Sequence, residues 1–216
     1  MHSNQPLRGL GPQAQDPSRP KPDPKQDRAV RTRSQILQAA ATAFARKGFP
    51  AVTVHDVAEL TGMTKGAVYF HYANKEALAI AVVEEFYRRW PPMAAAVRQL
   101  DVTPLDMVRE LMMRTSVLLR DDKVAQAGSR LQAERALICV ALPTPFEGYT
   151  AILVELLTQA EEQGQLPAGT SPETLARVLF AALFGAQHIS WILNDRADIP
   201  ERIAEVIDTI IPRSGS

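Results

Sequence analysis

Between Thr53 and Lys75 the sequence concentrates side chains suited to holding a polyanion and reading the edges of bases. Thr64 is a short hydrogen-bond donor and Lys65 a long cationic one. Gly66 removes a side chain where backbone must come close, and Tyr69 follows Lys65 by one helical turn on the same face. His71, Lys75 and the free N–H groups opening the next helix make a second donor set, of the kind that holds phosphate. Thr53 stands three positions before Asp56, the spacing at which a hydroxyl and a carboxylate cap a helix start reciprocally. Each residue also has an ordinary reading: Tyr69 as a core aromatic, Lys65 as a solvated lysine, Gly62 as any helix-helix turn. Short helical hairpins are common, so spacing alone leaves DNA binding and a structural hairpin equally open.

These donors need a frame. A helix opened by Thr53 and carrying Val54, Val57, Ala58 and Leu60, a turn at Thr61, Gly62 and Met63, and a short helix from Thr64 to Phe70 have the length and turn chemistry of a helix-turn-helix. Before them, Ala29 to Lys47 places Ile36, Ala39, Ala40, Ala43 and Phe44 on one face, with Gly48 as a left-handed stop. After them, Asn74 caps a helix predicted to run from Lys75 to Trp90 and to stop at Pro91 and Pro92. Proline and polar punctuation divides the rest into helices near 93–100, 104–120, 122–135, 146–163, 172–194 and 200–211, with 136–145 as a loop. No run alternates as a strand would, so the expected fold is all-α with about ten helices. Six of the sixteen prolines fall in the first 24 residues, which are too polar to offset their ordering entropy. The expected organisation is a disordered arm over 1–28, a helix-turn-helix domain over 29–74 and a ligand-binding and dimerisation domain over 75–216.

The 24 basic and 24 acidic side chains cancel overall. Their distribution is uneven: residues 1–80 carry 11 basic and 6 acidic groups, residues 81–216 carry 13 and 18. A basic first part suits a phosphate-binding module and an acidic remainder discourages collapse onto DNA. Cys139 is the single cysteine, which excludes an internal disulfide framework. No signal peptide is visible, and Val178 to Asn194, though uncharged, contains Gln187, His188 and Ser190 and reads as a buried helix. A cytoplasmic protein with no membrane partner is expected. There is no phosphate-cradling glycine loop, nucleophile elbow or paired-histidine zinc spacing, and the histidines at 2, 55, 71 and 188 are scattered. No catalytic residue, metal or cofactor is therefore expected; a helical enzyme and a ligand-independent architectural DNA binder remain as alternatives.

Four fragments, Thr53-Val54-His55-Asp56-Val57-Ala58, Gly62-Met63-Thr64-Lys65-Gly66, Tyr69-Phe70-His71-Tyr72 and Lys75-Glu76-Ala77-Leu78, together resemble the DNA-binding signature of the tetracycline-repressor family over about residues 31–78. That resemblance implies a helical homodimeric repressor of double-stranded operator DNA, with Thr53, Thr64, Lys65, Gly66, Tyr69, His71 and Lys75 at positions that match the usual contacts. Tyr72 stands where many relatives have Phe, which touches core packing more than readout. Further on, Ala127-Gly128 with Arg130-Leu131, and Leu142-Pro143 with Pro145-Phe146 and Tyr149, resemble the actinomycete autoregulator receptors for γ-butyrolactones. Within that group the pattern is most similar to receptors for the methylenomycin furans, which implies a 2-alkyl-4-hydroxymethylfuran-3-carboxylic acid signal and control of antibiotic biosynthesis. Butyrolactone receptors place Trp at the position of Tyr149, and the substitution suits a more polar ligand; a γ-butyrolactone is the alternative signal.

Such a ligand needs a mostly apolar pocket with a few placed donors. Tyr87, Gln132 and Tyr149 are polar groups embedded among apolar ones and are the expected ligand hydrogen-bond partners, with Trp90, Leu111, Phe146 and Phe184 as walls. An ordinary core with satisfied hydroxyls and amides is the competing reading. Leu78, Val82 and Phe86 form one stripe of the helix after Asn74 and Val83, Tyr87 and Trp90 another, so this helix can touch both the DNA-binding bundle and a cavity. The segments 172–194 and 200–211 are expected to supply a four-helix dimer interface, with Phe180, Phe184, His188 and Trp191 near one face.

Overall fold

Helix boundaries in this chain follow its caps and glycines. The computed structural model describes residues 24–144 and 146–211, and among them there are ten α-helices, one 3-10 turn and no strand. They are α1 (Pro24–Ala51), α2 (Val54–Thr61), α3 (Lys65–His71), α4 (Lys75–Tyr87), α5 (Trp90–Arg98), α6 (Pro104–Asp121), α7 (Lys123–Ala133), the 3-10 turn (Arg135–Leu137), α8 (Glu147–Glu162), α9 (Pro172–Asn194) and α10 (Ile199–Ile210).

Helix α1 begins at Pro24, five residues ahead of the expected Ala29; the rest of the expected arm, residues 1–23, lies outside the described residues. Its Ile36, Ala40 and Phe44 are fully buried, as periodicity predicts. At Gly48 the backbone takes φ +77°, and the chain turns a corner before one more helical turn through Phe49. Only glycine fits there: a Cβ would lie 2.5 Å from Glu134 Oε1.

The prolines after α4 start a helix instead of only ending one. Pro91 and Pro92 occupy the first turn of α5, where a missing N–H costs nothing, so Trp90 opens α5 and α4 ends at Tyr87. Leu60, expected inward, is exposed, because α2 is covered only where α1 and α3 meet it. Helix α7 is the floor on which the N-terminal bundle rests: α1 and α4 both pack along it. Helix α6 joins α10, α8, α5 and α7 into the C-terminal core.

Helix α9 is long and apolar enough by length and composition to cross a membrane, yet it packs against α8 and α10 and is only 28% buried over its most apolar stretch. Expected as a buried helix, α9 leaves Val178, Ile189, Ile192 and Leu193 facing outward in the single chain. Helix α10 buries Ile199, Ile203 and Ile207 against α6 and α9.

Candidate nucleic-acid interface and ligand cavity

The first turn of α3 faces out. Thr53 Oγ1 accepts from the Asp56 N–H and the Asp56 carboxylate accepts from the Thr53 N–H, which fixes the start of α2. The Lys47 ammonium beside Asp56, helped by Thr53, holds that carboxyl well below the usual range. Gly62 closes α2 in the left-handed region (φ +66°), and Thr64 Oγ1 accepts the Ala67 N–H at 3.2 Å to open α3. Val68 is the one fully buried side chain of α3; Lys65, Gly66, Tyr69 and Phe70 are exposed on the other side. His71 is half-buried, its ring edge-on to Phe70.

Two features depart from the sequence picture. Phe70, 84% exposed, stands beside Tyr69 on the outward face, and its position one turn beyond Gly66 was the available signal. Lys75 is engaged: its ammonium donates to the Phe49 carbonyl at 3.0 Å and lies 4.2 Å from the centre of the Phe49 ring. A phosphate at that position would meet only its remaining N–H groups. Lys65 carries no such tie among the described residues, and so its loss is the cleaner test. Lys65→Ala is expected to weaken a selected operator by about 5- to 100-fold, the range for losing a base-edge contact, while random duplex loses less. Equal losses on both in a fluorescence-anisotropy titration would make Lys65 a phosphate contact only.

The C-terminal core holds a narrow, aromatic-walled cavity with about 20 Å³ of open space, room for about one water, so an organic molecule could occupy it only if the surrounding rings moved apart. Phe86 and Trp90 enter it from the end of α4 and the start of α5, Tyr149 from α8, and Phe180 and Phe184 from α9. Trp90 meets Phe86 and Tyr149 edge-on at 4.9 and 5.2 Å between ring centres, and Phe146 lies 4.6 Å from Phe180. Phe146 opens α8 with φ +70°, a left-handed backbone that is strained for a bulky side chain and holds its ring at the cavity.

Tyr149 is fully buried, and burial pushes its phenol well above the usual value, so it is a protonated donor. Its oxygen lies 3.2 Å from Thr115 Oγ1. The Thr115 proton is already directed to the Leu111 carbonyl at 2.8 Å, so Tyr149 is the donor of this pair. Tyr87 and Gln132 form a separate cluster. The Gln132 amide donates to the Tyr87 oxygen at 2.8 Å and to the Pro143 carbonyl at 3.1 Å, leaving Gln132 Oε1 buried and unpartnered. Burial pushes the Tyr87 phenol up to about 12, against hydrogen bonds from the Phe146 backbone and the Gln132 amide. Tyr87 and Trp90 also line an open groove with Arg98 and Glu147.

Of the seven expected ligand residues, Trp90, Phe146, Tyr149 and Phe184 come together on the cavity wall. Tyr87 and Gln132 sit beside it, and Leu111 lies in the core with its carbonyl behind Thr115. The wall also includes Phe86, Thr115, Ser129, Phe180 and Gln187, which sequence reasoning did not assign to it. None of the side chains on this wall is charged.

A chain of contacts joins the cavity to the N-terminal bundle. Phe184 stacks on His188, His188 meets Trp191 edge-on, and the Arg130 guanidinium lies 4.7 Å over the Trp191 ring. Arg130 then donates to the Ala45 and Arg46 carbonyls, both at 3.1 Å, and pairs with Glu134, whose other oxygen accepts the Phe49 N–H at 2.6 Å. Phe180, Phe184, His188 and Trp191, the residues expected at a dimer interface, are each half-buried along this path within the single chain.

Residues 36–82 match the pattern of the family described as bacterial regulatory proteins, tetR family. Over 188 residues the chain is 29% identical to the A-factor receptor protein of Streptomyces griseus, covering 87% of this chain and 65% of that relative, so it spans just under two thirds of the relative's length. A solved structure described as the molecular basis for control of antibiotic production by bacterial hormones is 51% identical, with a TM-score of 0.79, over 84% of this chain and 96% of that one. The TetR family protein CprB from Streptomyces coelicolor, solved in complex with its biological operator sequence, is 30% identical with a TM-score of 0.73, over 83% of this chain and 86% of that one.

Proposed function

Because this chain belongs to the tetracycline-repressor family, close to the A-factor and γ-butyrolactone receptors, we propose that it is a signal-responsive repressor, released from its operator by a small organic autoregulator that enters the cavity. The observation that carries this reading is the placement of α4. Its start follows the outward-facing α3, and its end delivers Phe86 to the cavity wall, with Trp90 beside it at the start of α5. A ligand that pushes on these rings pushes on the helix that positions the recognition helix.

The protein acts as a homodimer in this reading. Two copies of α3 must then meet half-sites about 34 to 36 Å apart, or a multiple of this, and a small pendulum motion of α4 breaks the match. The outward stripe of Val178, Ile189 and Ile192 on α9 is the apolar surface we assign to the dimer interface. Residues 29–74 act as the DNA-binding unit and 75–216 as the ligand-binding and dimerisation unit, working in the cytoplasm on nucleoid DNA.

The favoured signal is a 2-alkyl-4-hydroxymethylfuran-3-carboxylic acid, and the regulated process is antibiotic biosynthesis. The 51% identical relative, described as the molecular basis for control of antibiotic production by bacterial hormones, supports the latter, and the buried, protonated Tyr149 phenol, a polar group set among aromatic rings, supports the former. An uncharged wall adds a condition: a carboxylate there is held by neutral donors, through charge-assisted hydrogen bonds that are roughly twice as strong as neutral ones. The same absence of charge favours a neutral γ-butyrolactone as the second reading, since an unpaired buried carboxylate is costly.

A ligand shifts DNA affinity only by its preference between the two states, typically about 1 to 3 kcal/mol of coupling, or roughly 5- to 150-fold. Operator duplex is selected from random sequence, and furan acids and γ-butyrolactones are then titrated into the complex. Release by one class identifies the signal; undiminished operator affinity at saturating concentrations of both would end the signal-responsive reading.

A further inference from the structure

We propose that Ser129 and Gln187 form a polar recognition pair that binds a hydroxyl group of the ligand; this rests on the signal-responsive reading above. Both side chains line the cavity and both are more than nine-tenths buried, at 5% and 6% exposure. Neither makes a side-chain hydrogen bond to any described residue, which contrasts with comparable groups in the same chain. Thr42, Thr61, Thr115 and Thr209, all within or at the end of helices, return their hydroxyl protons to the carbonyl four residues back. Ser129 leaves that bond unmade. Of the three buried glutamines, Gln126 bonds through both ends of its amide and Gln132 through its NH₂, whereas Gln187 uses neither.

The two groups reach the same cavity from different helices, Ser129 from α7 and Gln187 from α9. Ser129 precedes Arg130 on α7, Gln187 precedes Trp191 by one turn of α9, and Arg130 and Trp191 are in contact. Tyr149 and Thr115 come from α8 and α6 and bond to each other, so they form a second polar set on the same wall, already paired. Their chemistry differs. The Tyr149 proton is directed to Thr115, and an acceptor such as a carbonyl or carboxylate would have to compete for it. The Gln187 amide presents both an acceptor and a donor, and Ser129 does the same. A carboxylate at this pair would leave Gln187 Oε1 without a proton, whereas a hydroxyl both gives and receives one. The polar atoms of both side chains have no protein partner among the described residues and are not sealed from the cavity, which leaves them available to a complementary hydroxyl.

The test measures how much a ligand's hydroxyl contributes to release, in wild type and in Gln187→Leu and Ser129→Ala. A 2-alkyl-4-hydroxymethylfuran-3-carboxylic acid is compared with its 4-methyl counterpart, and operator release is followed by fluorescence anisotropy; ligand-free operator affinity and melting temperature check that each variant is folded. In wild type the hydroxymethyl compound should act at about tenfold lower concentration, the factor for one hydrogen bond. In either variant that preference should fall towards unity. A variant that binds operator normally and keeps the wild-type preference overturns the proposal. If the furans leave wild type on its operator, the furan assignment fails by itself, and the comparison is read with γ-butyrolactones bearing a side-chain hydroxyl or lacking it. Release of wild type by neither class counts against the signal-responsive reading, and the pair falls with it.

Discussion

Arg130→Ala is expected to lower the melting temperature by about 10 °C. The guanidinium is mostly buried and does three things at once: it pairs with Glu134, caps the Ala45 and Arg46 carbonyls, and covers Trp191. Its removal leaves the Glu134 carboxylate, still tied to the Phe49 N–H, without its cation. Breaking one side of a buried pair costs about 3 to 5 kcal/mol. The pair retains some solvent contact, so the lower figure applies, and each kcal/mol shifts the transition by roughly 2 to 4 °C at this chain length. Arg130→Lys should recover only part of the loss, because an ammonium cannot fork to two carbonyls and a carboxylate while lying flat on an indole. A thermal scan decides: a variant melting within 2 °C of wild type would mean that α1 is docked on α7 by apolar packing alone.

The second large effect concerns Gly128. A Cβ at this position would lie 2.5 Å from both Cβ and Cγ of Phe86, which is possible only if the ring or the helix moves. Phe86 Cβ is close to the α4 backbone and cannot swing clear, so Gly128→Ala must part α4 from α7 or drive the Phe86 ring into the cavity. Overpacking of this kind costs about 1 to 3 kcal/mol. The first of these, a parting of α4 from α7, is the displacement the proposed ligand is expected to impose by pushing on Phe86 from the cavity. Without any signal, Gly128→Ala is therefore expected to bind operator about tenfold more weakly than wild type, within the usual range of allosteric coupling, and to show a smaller further drop when signal is added. Anisotropy titrations with and without ligand test both parts. A folded variant with wild-type operator affinity would show that the spacing of α4 and α7 does not set the position of α3.

The helix-turn-helix was legible because its signals are local. Thr53 with Asp56, Gly62, Thr64 and Asn74 act on N–H and carbonyl groups within a turn or two, and all of them cap or close the helices predicted from them. The outward presentation of Lys65, Gly66 and Tyr69 follows from the same periodicity, since burying Val68 turns the opposite face of a short helix to solvent. Lys75 was less legible: its partner, the Phe49 carbonyl, is created by the corner at Gly48, which residue spacing within α4 does not reveal.

The cavity was half legible. Large aromatic residues on amphipathic helices mark a wall, and Trp90, Phe146, Tyr149 and Phe184 are on it. Which polar groups join them depends on how α6, α7, α8 and α9 cross. Gln132 and Ser129 lie on the same helix and read alike in sequence, yet Gln132 is taken up by Tyr87 and Pro143, while Ser129 is left facing the cavity.

By itself, then, the order of residues determined the helices, their caps, the inward and outward faces of α3 and the family to which the chain belongs, because these depend on interactions spanning a few positions. The tertiary structure alone decided that Arg130 ties the cavity-lining helices to α1, that Gly128 admits Phe86, and that Ser129 and Gln187 remain unpaired. Those outcomes rest on contacts between segments far apart in the chain, where a partner's presence is set by how helices cross and not by any pattern along one of them.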